Sequence, residues 1–304
     1  MNVIFVGTAP LGVPTLRALA HTHNVLAVFT QPDRPAGRGL ALMPPPIKRA
    51  ALELGLPVYQ PDKINREAEF IKTLHPDVIV VVAFGQFLSK RLLAIPKFGC
   101  INLHASLLPK YRGAAPIHWA IINGETETGL TTFILSEEMD AGDILLQERV
   151  PISDADTAGS LHDKLATLGP NLVLQTLEGL EKGTLTPRPQ DHSQATFAPK
   201  LESTVGHIDW GQPARKIFNL IRGLNPSPGA YTFWDGQRVK LYASRVEPSS
   251  SIFPPGCVID AERLIVRCGE DALELLEVQP AGKRRMRGKD FVNGYKIRIG
   301  ARFG

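Results

Sequence analysis

The chain has 304 residues, 43% of them apolar and 21% charged, with a formal net charge of +4. That length supports a sizeable core and about two domains, and the composition is that of a folded soluble protein, which excludes an intrinsically disordered chain. No apolar run approaches the roughly 20 residues needed to cross a bilayer, and three cysteines (Cys100, Cys257, Cys268) without CxxC spacing exclude a disulfide framework and a cysteine zinc site.

In chain order, Met1-Asn2-Val3-Ile4-Phe5-Val6-Gly7 lacks the basic region of a secretory signal and reads as a first strand, Asn2–Gly7. A cytoplasmic setting is expected. Further strands are predicted at Val25–Thr30, Asp77–Ala83 and Cys100–His104, rich in Val and Ile and bounded by turn residues. Amphipathic helices are predicted between them at Leu11–Ala20, Ile47–Leu54, Arg66–Leu74 and Lys90–Ile95. This alternation predicts an α/β, Rossmann-like, mostly parallel sheet with ligands at its carboxyl edge. Gly7-Thr8-Ala9-Pro10-Leu11-Gly12 lacks the GxGxxG spacing, which argues against a nicotinamide site.

Thr131–Ser136 and Ile144–Val150 read as antiparallel additions, and Thr157–Leu180 as a long helix with Asp156 placed to cap it and Gly183 just beyond its end. Residues 184–206 carry Thr, Pro, Ser and Gln with little periodicity and read as a linker. The expected domains are therefore 1–183, catalytic, and 207–304. After a short helix, Ala214–Arg222, the second domain shows five brief strands: Tyr231–Trp234, Val239–Val246, Gly256–Ile259, Leu264–Cys268 and Leu273–Val278. The Asp235-Gly236 turn marks a hairpin, and the set suggests a small OB-like β-barrel.

Charge is unevenly spread. Through Gly206 there are 18 Lys and Arg against 20 Asp and Glu; from His207 onward there are 16 against 10. The excess is densest at Lys283, Arg284, Arg285, Arg287 and Lys289, which suggests a polyanionic partner, with a merely solubilising basic face as the plain alternative.

The most informative stretch is Asn102-Leu103-His104-Ala105-Ser106-Leu107-Leu108-Pro109-Lys110-Tyr111-Arg112-Gly113-Ala114-Ala115-Pro116. Two residues apart on a strand, Asn102 and His104 leave the same face. The first offers an amide donor for a polarised carbonyl, the second proton transfer near neutral pH. Ser106 is not in a GxSxG elbow, so no serine nucleophile is indicated. The Gly-containing loop Met139-Asp140-Ala141-Gly142-Asp143 follows another strand and can supply a carboxylate partner to His104. Asp140 and Asp143 are both eligible, and a purely structural His–Asp pair fits the same spacing. The remaining histidines are scattered, and His21-x-His23 reads as a helix end rather than a metal site.

These two stretches resemble the signature of folate-dependent formyltransferases. Phe29–Gly39 with Met43-Pro44, Ile208-Asp209-Trp210 and Gln279–Arg284 extend the resemblance to the whole chain and to the branch that formylates methionyl-tRNA. The resemblance implies a catalytic trio of Asn102, His104 and Asp140, a folate-binding segment at Ser106, Leu107, Leu108 and Pro109, and a pterin wall at Phe84, Gly85, Phe87 and Leu88. It implies 10-formyltetrahydrofolate as donor, initiator methionyl-tRNA as acceptor, no metal and no membrane association; a monomer is expected. The long connection 31–48, with Arg34, Arg38 and Lys48, would approach the acceptor stem, Arg38 being the first candidate for discrimination. Lys283, Arg284, Arg285 and Arg287 would supply salt-sensitive tRNA affinity. Two rival readings are a sugar-nucleotide formyltransferase of the same superfamily and a non-catalytic tRNA-binding protein.

Overall fold

A computed structural model describes residues 1–36 and 41–304. In chain order its elements begin with β1 (Asn2–Gly7), α1 (Val13–Thr22), β2 (Asn24–Phe29), β3 (Arg34–Ala36), β4 (Ala41–Met43), α2 (Pro46–Glu53), β5 (Val58–Tyr59) and α3 (Ala68–Thr73). There follow β6 (Val78–Val82), α4 (Lys90–Leu93), β7 (Cys100–His104), α5 (Pro116–Ile122), β8 (Glu127–Ile134), β9 (Ile144–Pro151) and α6 (Ala158–Glu181). The last third contains α7 (Ala214–Gly223), β10 (Ala230–Trp234), β11 (Gln237–Glu247), β12 (Val258–Asp260), β13 (Ile265–Arg267), β14 (Ala272–Pro280), β15 (Met286–Arg287) and α8 (Gly288–Tyr295).

The chain divides into two compact units that are interleaved in sequence. Met1–Pro116, Glu127–Pro151 and His162–Pro199 form the first; Ile117–Thr126, Ile152–Leu161 and Lys200–Gly304 form the second. The stretch 184–206, expected to be a linker, is thus shared, and through Pro199 it belongs to the first unit.

The first unit is built on a seven-stranded sheet in the order β5-β2-β1-β6-β7-β8-β9, in which the first five strands are parallel and β8 and β9 antiparallel. Val3–Val6 of β1 and all of β6 are buried, as unbroken apolar runs must be when helices cover both faces of a parallel sheet. One face packs Ile4, Val6, Phe29, Ile79, Val81 and Cys100 against Ile64, Ile71 and Leu92. Each such side chain contributes about 1.5–3 kcal/mol of burial. The stretch 31–48 is not wholly irregular: Arg34 pairs with Met43 in a β3–β4 ribbon, and Pro46 opens α2. Arg38 lies outside the described residues.

The cap of α6 also differs from expectation. Thr157 and Ser160 bond reciprocally, Ser160 N–H donating to Thr157 Oγ1 at 3.1 Å and Thr157 N–H to Ser160 Oγ at 3.0 Å. Asp156 Oδ2 accepts from the Ser153 N–H at 2.8 Å and its Oδ1 from the Ser160 hydroxyl at 3.1 Å, tying the preceding turn to the first turn of the helix.

The second unit is a six-stranded antiparallel sheet, β10-β11-β14-β13-β12, with β15 beside β14. Asp235 and Gly236 both have positive φ (49° and 70°), which the two-residue hairpin between β10 and β11 requires. Register shifts between Leu241 and Ser244 bend the long β11, the kind of curvature a small barrel needs. α7 lays Ile217 and Ile221 into the core with Leu241, Leu273 and Val278. The basic tail is partly helical: α8 is anchored by buried Phe291 and Val292 while Lys289 is exposed. No helix among the described residues is long and apolar enough to cross a membrane.

Candidate active site

Strand β7 sets the site. Its side chains alternate, so Cys100, Asn102 and His104 share one face. Cys100 joins the apolar core of that face, and the strand turns polar as it reaches the carboxyl edge of the sheet. On β8 the register partners of Asn102 and His104 are Phe133 and Thr131. The His104 ring stands edge-on to Phe133 at 6.4 Å, which fixes its plane.

His104 is only 6% exposed and makes two polar contacts. Its Nε2 lies 2.9 Å from the Tyr111 carbonyl oxygen, which can only accept, so Nε2 carries a proton. Its Nδ1 lies 3.7 Å from Asp140 Oδ2, close enough for an ion pair and long for a hydrogen bond. Both ring nitrogens thus face oxygen acceptors, an arrangement complementary to imidazolium. Asp140 Oδ2 also accepts the Gly113 N–H at 2.8 Å. Of the two eligible carboxylates, Asp140 meets the imidazole; Asp143 is exposed. Asp140 has φ +50°, and Gly142 behind it lies where a Cβ would stand 1.8 Å from the Ile134 carbonyl oxygen. Only glycine allows the loop this close to the strand.

The Asn102 carboxamide is half-buried and has no hydrogen-bond partner among the described residues. A carboxamide on the strand face it shares with His104, with no partner among the described residues, suits a developing negative charge.

The remaining sequence-predicted residues divide by environment. The Ser106 hydroxyl donates to the Lys110 carbonyl at 2.6 Å, and Leu108 is buried with Phe133 and Ile144. The Leu108 N–H donates to Thr131 Oγ1 at 3.2 Å, and Gln147 Nε2 donates to the Leu108 carbonyl at 2.9 Å, so this loop is braced from β8 and β9. Leu107 and Pro109 are half-buried. Phe84 and Leu88 belong to the core, whereas Gly85 and Phe87 are exposed. Arg34 is exposed; Lys48 is paired with Asp33 at 2.8 Å. Hydrogen bonds from Gln60 and Lys48 hold the Asp33 carboxyl below its ordinary range. Lys283 and Arg284 are exposed, Arg285 stacks on the Tyr242 ring at 3.4 Å, and Arg287 grips Asp290 with two nitrogens at 2.8 and 3.0 Å.

Two groups of the site escaped sequence reasoning: the Tyr111 carbonyl and the Gly113 N–H. Both are backbone atoms within the informative run, so residue type gives no sign of them; the positive φ of Tyr111 (60°) is what aims its carbonyl. His21 and His23 line a shallow depression with Asp77 and Glu181 at the amino edge of the sheet, the end opposite β7's polar pair. Among the described residues, no three His, Cys, Asp or Glu side chains gather as a metal site.

Residues 1–177 match a family model described as formyl transferase, and residues 200–296 one described as formyl transferase, C-terminal domain. The methionyl-tRNA formyltransferase of Caldanaerobacter subterraneus subsp. tengcongensis is 47% identical over 302 residues, 98% of each chain. That of Moorella thermoacetica is 49% identical over 302 residues, 98% of this chain and 97% of its own. Among solved structures, the N-formyltransferase from Helicobacter canadensis in complex with folinic acid and dTDP-3-aminofucose superposes with a TM-score of 0.68 at 18% identity, over 90% of this chain and 98% of that one. HypX from Aquifex aeolicus in complex with tetrahydrofolic acid gives 0.64 at 17% identity, over 98% of this chain and 48% of that one. Identities so low speak for a shared fold alone. With family models matching most of both halves and near-full-length relatives approaching half identity, this chain belongs to the formyltransferase family.

Proposed function

We infer that this chain transfers the formyl group of 10-formyltetrahydrofolate to the α-amino group of initiator methionyl-tRNA, in the cytoplasm. The observation that carries the reading is the pairing of buried His104 with half-buried Asp140 at the carboxyl edge of the sheet, on the strand that also carries Asn102, which has no hydrogen-bond partner among the described residues. The full-length relatives named as methionyl-tRNA formyltransferases supply the acceptor.

In the reaction the amine nitrogen bonds to the formyl carbon, the bond from that carbon to N10 of the folate breaks, and the proton lost by the amine ends on N10. Asn102 donates to the formyl oxygen as it gains negative charge. His104, with Nε2–H held by the Tyr111 carbonyl and Nδ1 facing Asp140, supports the developing charge as an imidazolium that Asp140 sustains. Burial of the His104 ring strengthens these interactions relative to water. The backbone of Ser106–Pro109 and the exposed Phe87 are the folate contacts, with Gly85 beside them; Phe84 and Leu88 act by packing beneath.

For tRNA, Arg34, Arg38, Lys283 and Arg284 are the principal phosphate or base contacts. Lys48, Arg285 and Arg287 join them by exchanging their partly exposed carboxylate partners Asp33, Glu277 (3.6 Å from Arg285) and Asp290, since such pairs are weak. A sugar-nucleotide acceptor is the second reading, favoured by fold neighbours alone. The experiment is incubation with labelled 10-formyltetrahydrofolate and either initiator methionyl-tRNA, elongator methionyl-tRNA or a dTDP-linked amino sugar. Label on the initiator methionyl-tRNA is expected; label on the amino sugar alone overturns the reading.

A further inference from the structure

The stretch 188–198 has neither helical nor strand periodicity, yet it is tied to both loops that carry the site. Arg188 and Ile144 exchange backbone hydrogen bonds, each 2.8 Å, just beyond the Asp140 loop. Toward the other end of the stretch, the Arg112 N–H donates to the Thr196 carbonyl at 2.8 Å and the Ala198 N–H to the Arg112 carbonyl at 2.7 Å. Thr196 Oγ1 accepts the Tyr111 N–H at 2.9 Å. The segment is therefore a strap across the backs of the His104 and Asp140 loops.

Gln190 sits at its centre, 5% exposed. Its Oε1 accepts from Arg112 Nη2 at 2.6 Å and Nε at 3.1 Å. Its Nε2 donates to the Asp140 carbonyl at 2.8 Å and the Gly142 carbonyl at 2.7 Å. A guanidinium only donates and a carbonyl only accepts, so this environment admits one orientation of the amide and satisfies all four of its hydrogen-bonding positions. Arg112 is itself 5% exposed and carries the Tyr111 carbonyl on the residue before it. One carboxamide thus joins the loop that holds Nε2 of His104 to the loop that presents a carboxylate to Nδ1. It also engages the carbonyl of Asp140, a non-glycine residue in the left-handed region, which persists only where its surroundings enforce it.

We propose that Gln190 is a positioning residue for the formyl transfer, holding Asp140 in the backbone conformation that places its carboxylate against His104 and the Gly113 N–H. The proposal rests on the function inferred above. Gln190, with all four of its hydrogen-bonding positions engaged by the protein, acts through Asp140, with Arg112 fixing which way the amide points.

The test is steady-state formylation of initiator methionyl-tRNA by Gln190→Ala and Gln190→Glu, in the wild-type and the Asp140→Asn backgrounds, with thermal melting of each variant. Gln190→Glu keeps the partner of Arg112 but sets an oxygen against two carbonyl oxygens. Both variants are expected to lose about 10–100-fold in kcat with KM for donor and acceptor changed less than about twofold, as displacement of a catalytic group does. In the Asp140→Asn background the same changes are expected to cost less than about twofold, since the group they position is already disabled. The proposal is overturned if kcat is unchanged, if KM alone rises, or if the loss is equally large in both backgrounds. A melting temperature lowered in Gln190→Ala but kept in Gln190→Glu, with only the former losing activity, also overturns it, because the amide donors would then be irrelevant. Full activity of Asp140→Asn alone would sink the catalytic reading of the site instead.

Discussion

Replacing Asn102 by Ala separates chemistry from stability within a single strand. The carboxamide has no partner among the described residues, so its loss leaves none of their buried groups unsatisfied. Its backbone stays in the β7 ladder between Val81 and Phe133. The stability cost is therefore limited to strand propensity and partial burial, at most about 1 kcal/mol. Its neighbour Leu103, 3% exposed on the opposite face, supplies the contrast: Leu103→Ala is expected to cost about 2–5 kcal/mol through lost burial and a residual cavity. For catalysis the order reverses. Removing one preorganised donor to a developing oxyanion costs about 2.7–4 kcal/mol, or roughly 10²–10³ in kcat, with KM little changed. Single-turnover transfer from labelled 10-formyltetrahydrofolate to methionyl-tRNA, with melting curves for both variants, measures the two effects. An Asn102→Ala enzyme within about threefold of wild type, or one melting as low as Leu103→Ala, would falsify the assignment of Asn102 as an oxyanion donor.

Other outcomes follow from particular contacts. Gly142→Ala forces a Cβ against the Ile134 carbonyl at 1.8 Å, so it should destabilise by about 3 kcal/mol or more and abolish formyl transfer; a stable, active variant refutes the close approach seen there. Burial opposes ionisation of Glu274, but hydrogen bonds from Arg263 and Arg245 outweigh it and hold the carboxyl below its ordinary 4.5. Its contribution to stability is present above that pH and is lost as pH falls through the lowered value. Glu274→Gln should accordingly melt below wild type at pH 7, with the gap closing in acid; a gap independent of pH contradicts this. Burial pushes the Cys100 and Cys268 thiols up to about 12. Neither should react with a disulfide reagent at pH 8 until the protein unfolds, and mass-mapped labelling of either in the native state would count against their placement.

The parts legible in the sequence were those with a period. Alternation on β7 put Asn102 and His104 on one face, and the unbroken apolar runs of β1 and β6 marked the centre of a parallel sheet. The antiparallel additions β8 and β9 and the Asp235-Gly236 hairpin were visible instead from their turn residues. What stayed hidden depends on atoms that carry no residue signature. Spacing alone left Asp140 and Asp143 both eligible, and only the family resemblance implied Asp140, because a loop conformation makes that choice; the Tyr111 carbonyl and Gly113 N–H are backbone groups. The 188–198 strap lacks periodicity because its partners are loop backbones rather than a packed face. Charge along the chain does not show pairing in the fold: Lys48 lies 2.8 Å from Asp33. Likewise the basic run from Lys283 conceals α8, whose two buried apolar residues are outnumbered by polar neighbours.

The most direct test of the central claim is a double-mutant cycle on His104 and Asp140, read by single-turnover formylation of initiator methionyl-tRNA. If the 3.7 Å pair works as one unit, each single Ala variant is severely impaired and the double variant is no slower than the worse single one. Losses that multiply across the cycle would show two residues acting independently, and the account of a shared imidazolium–carboxylate centre would be wrong.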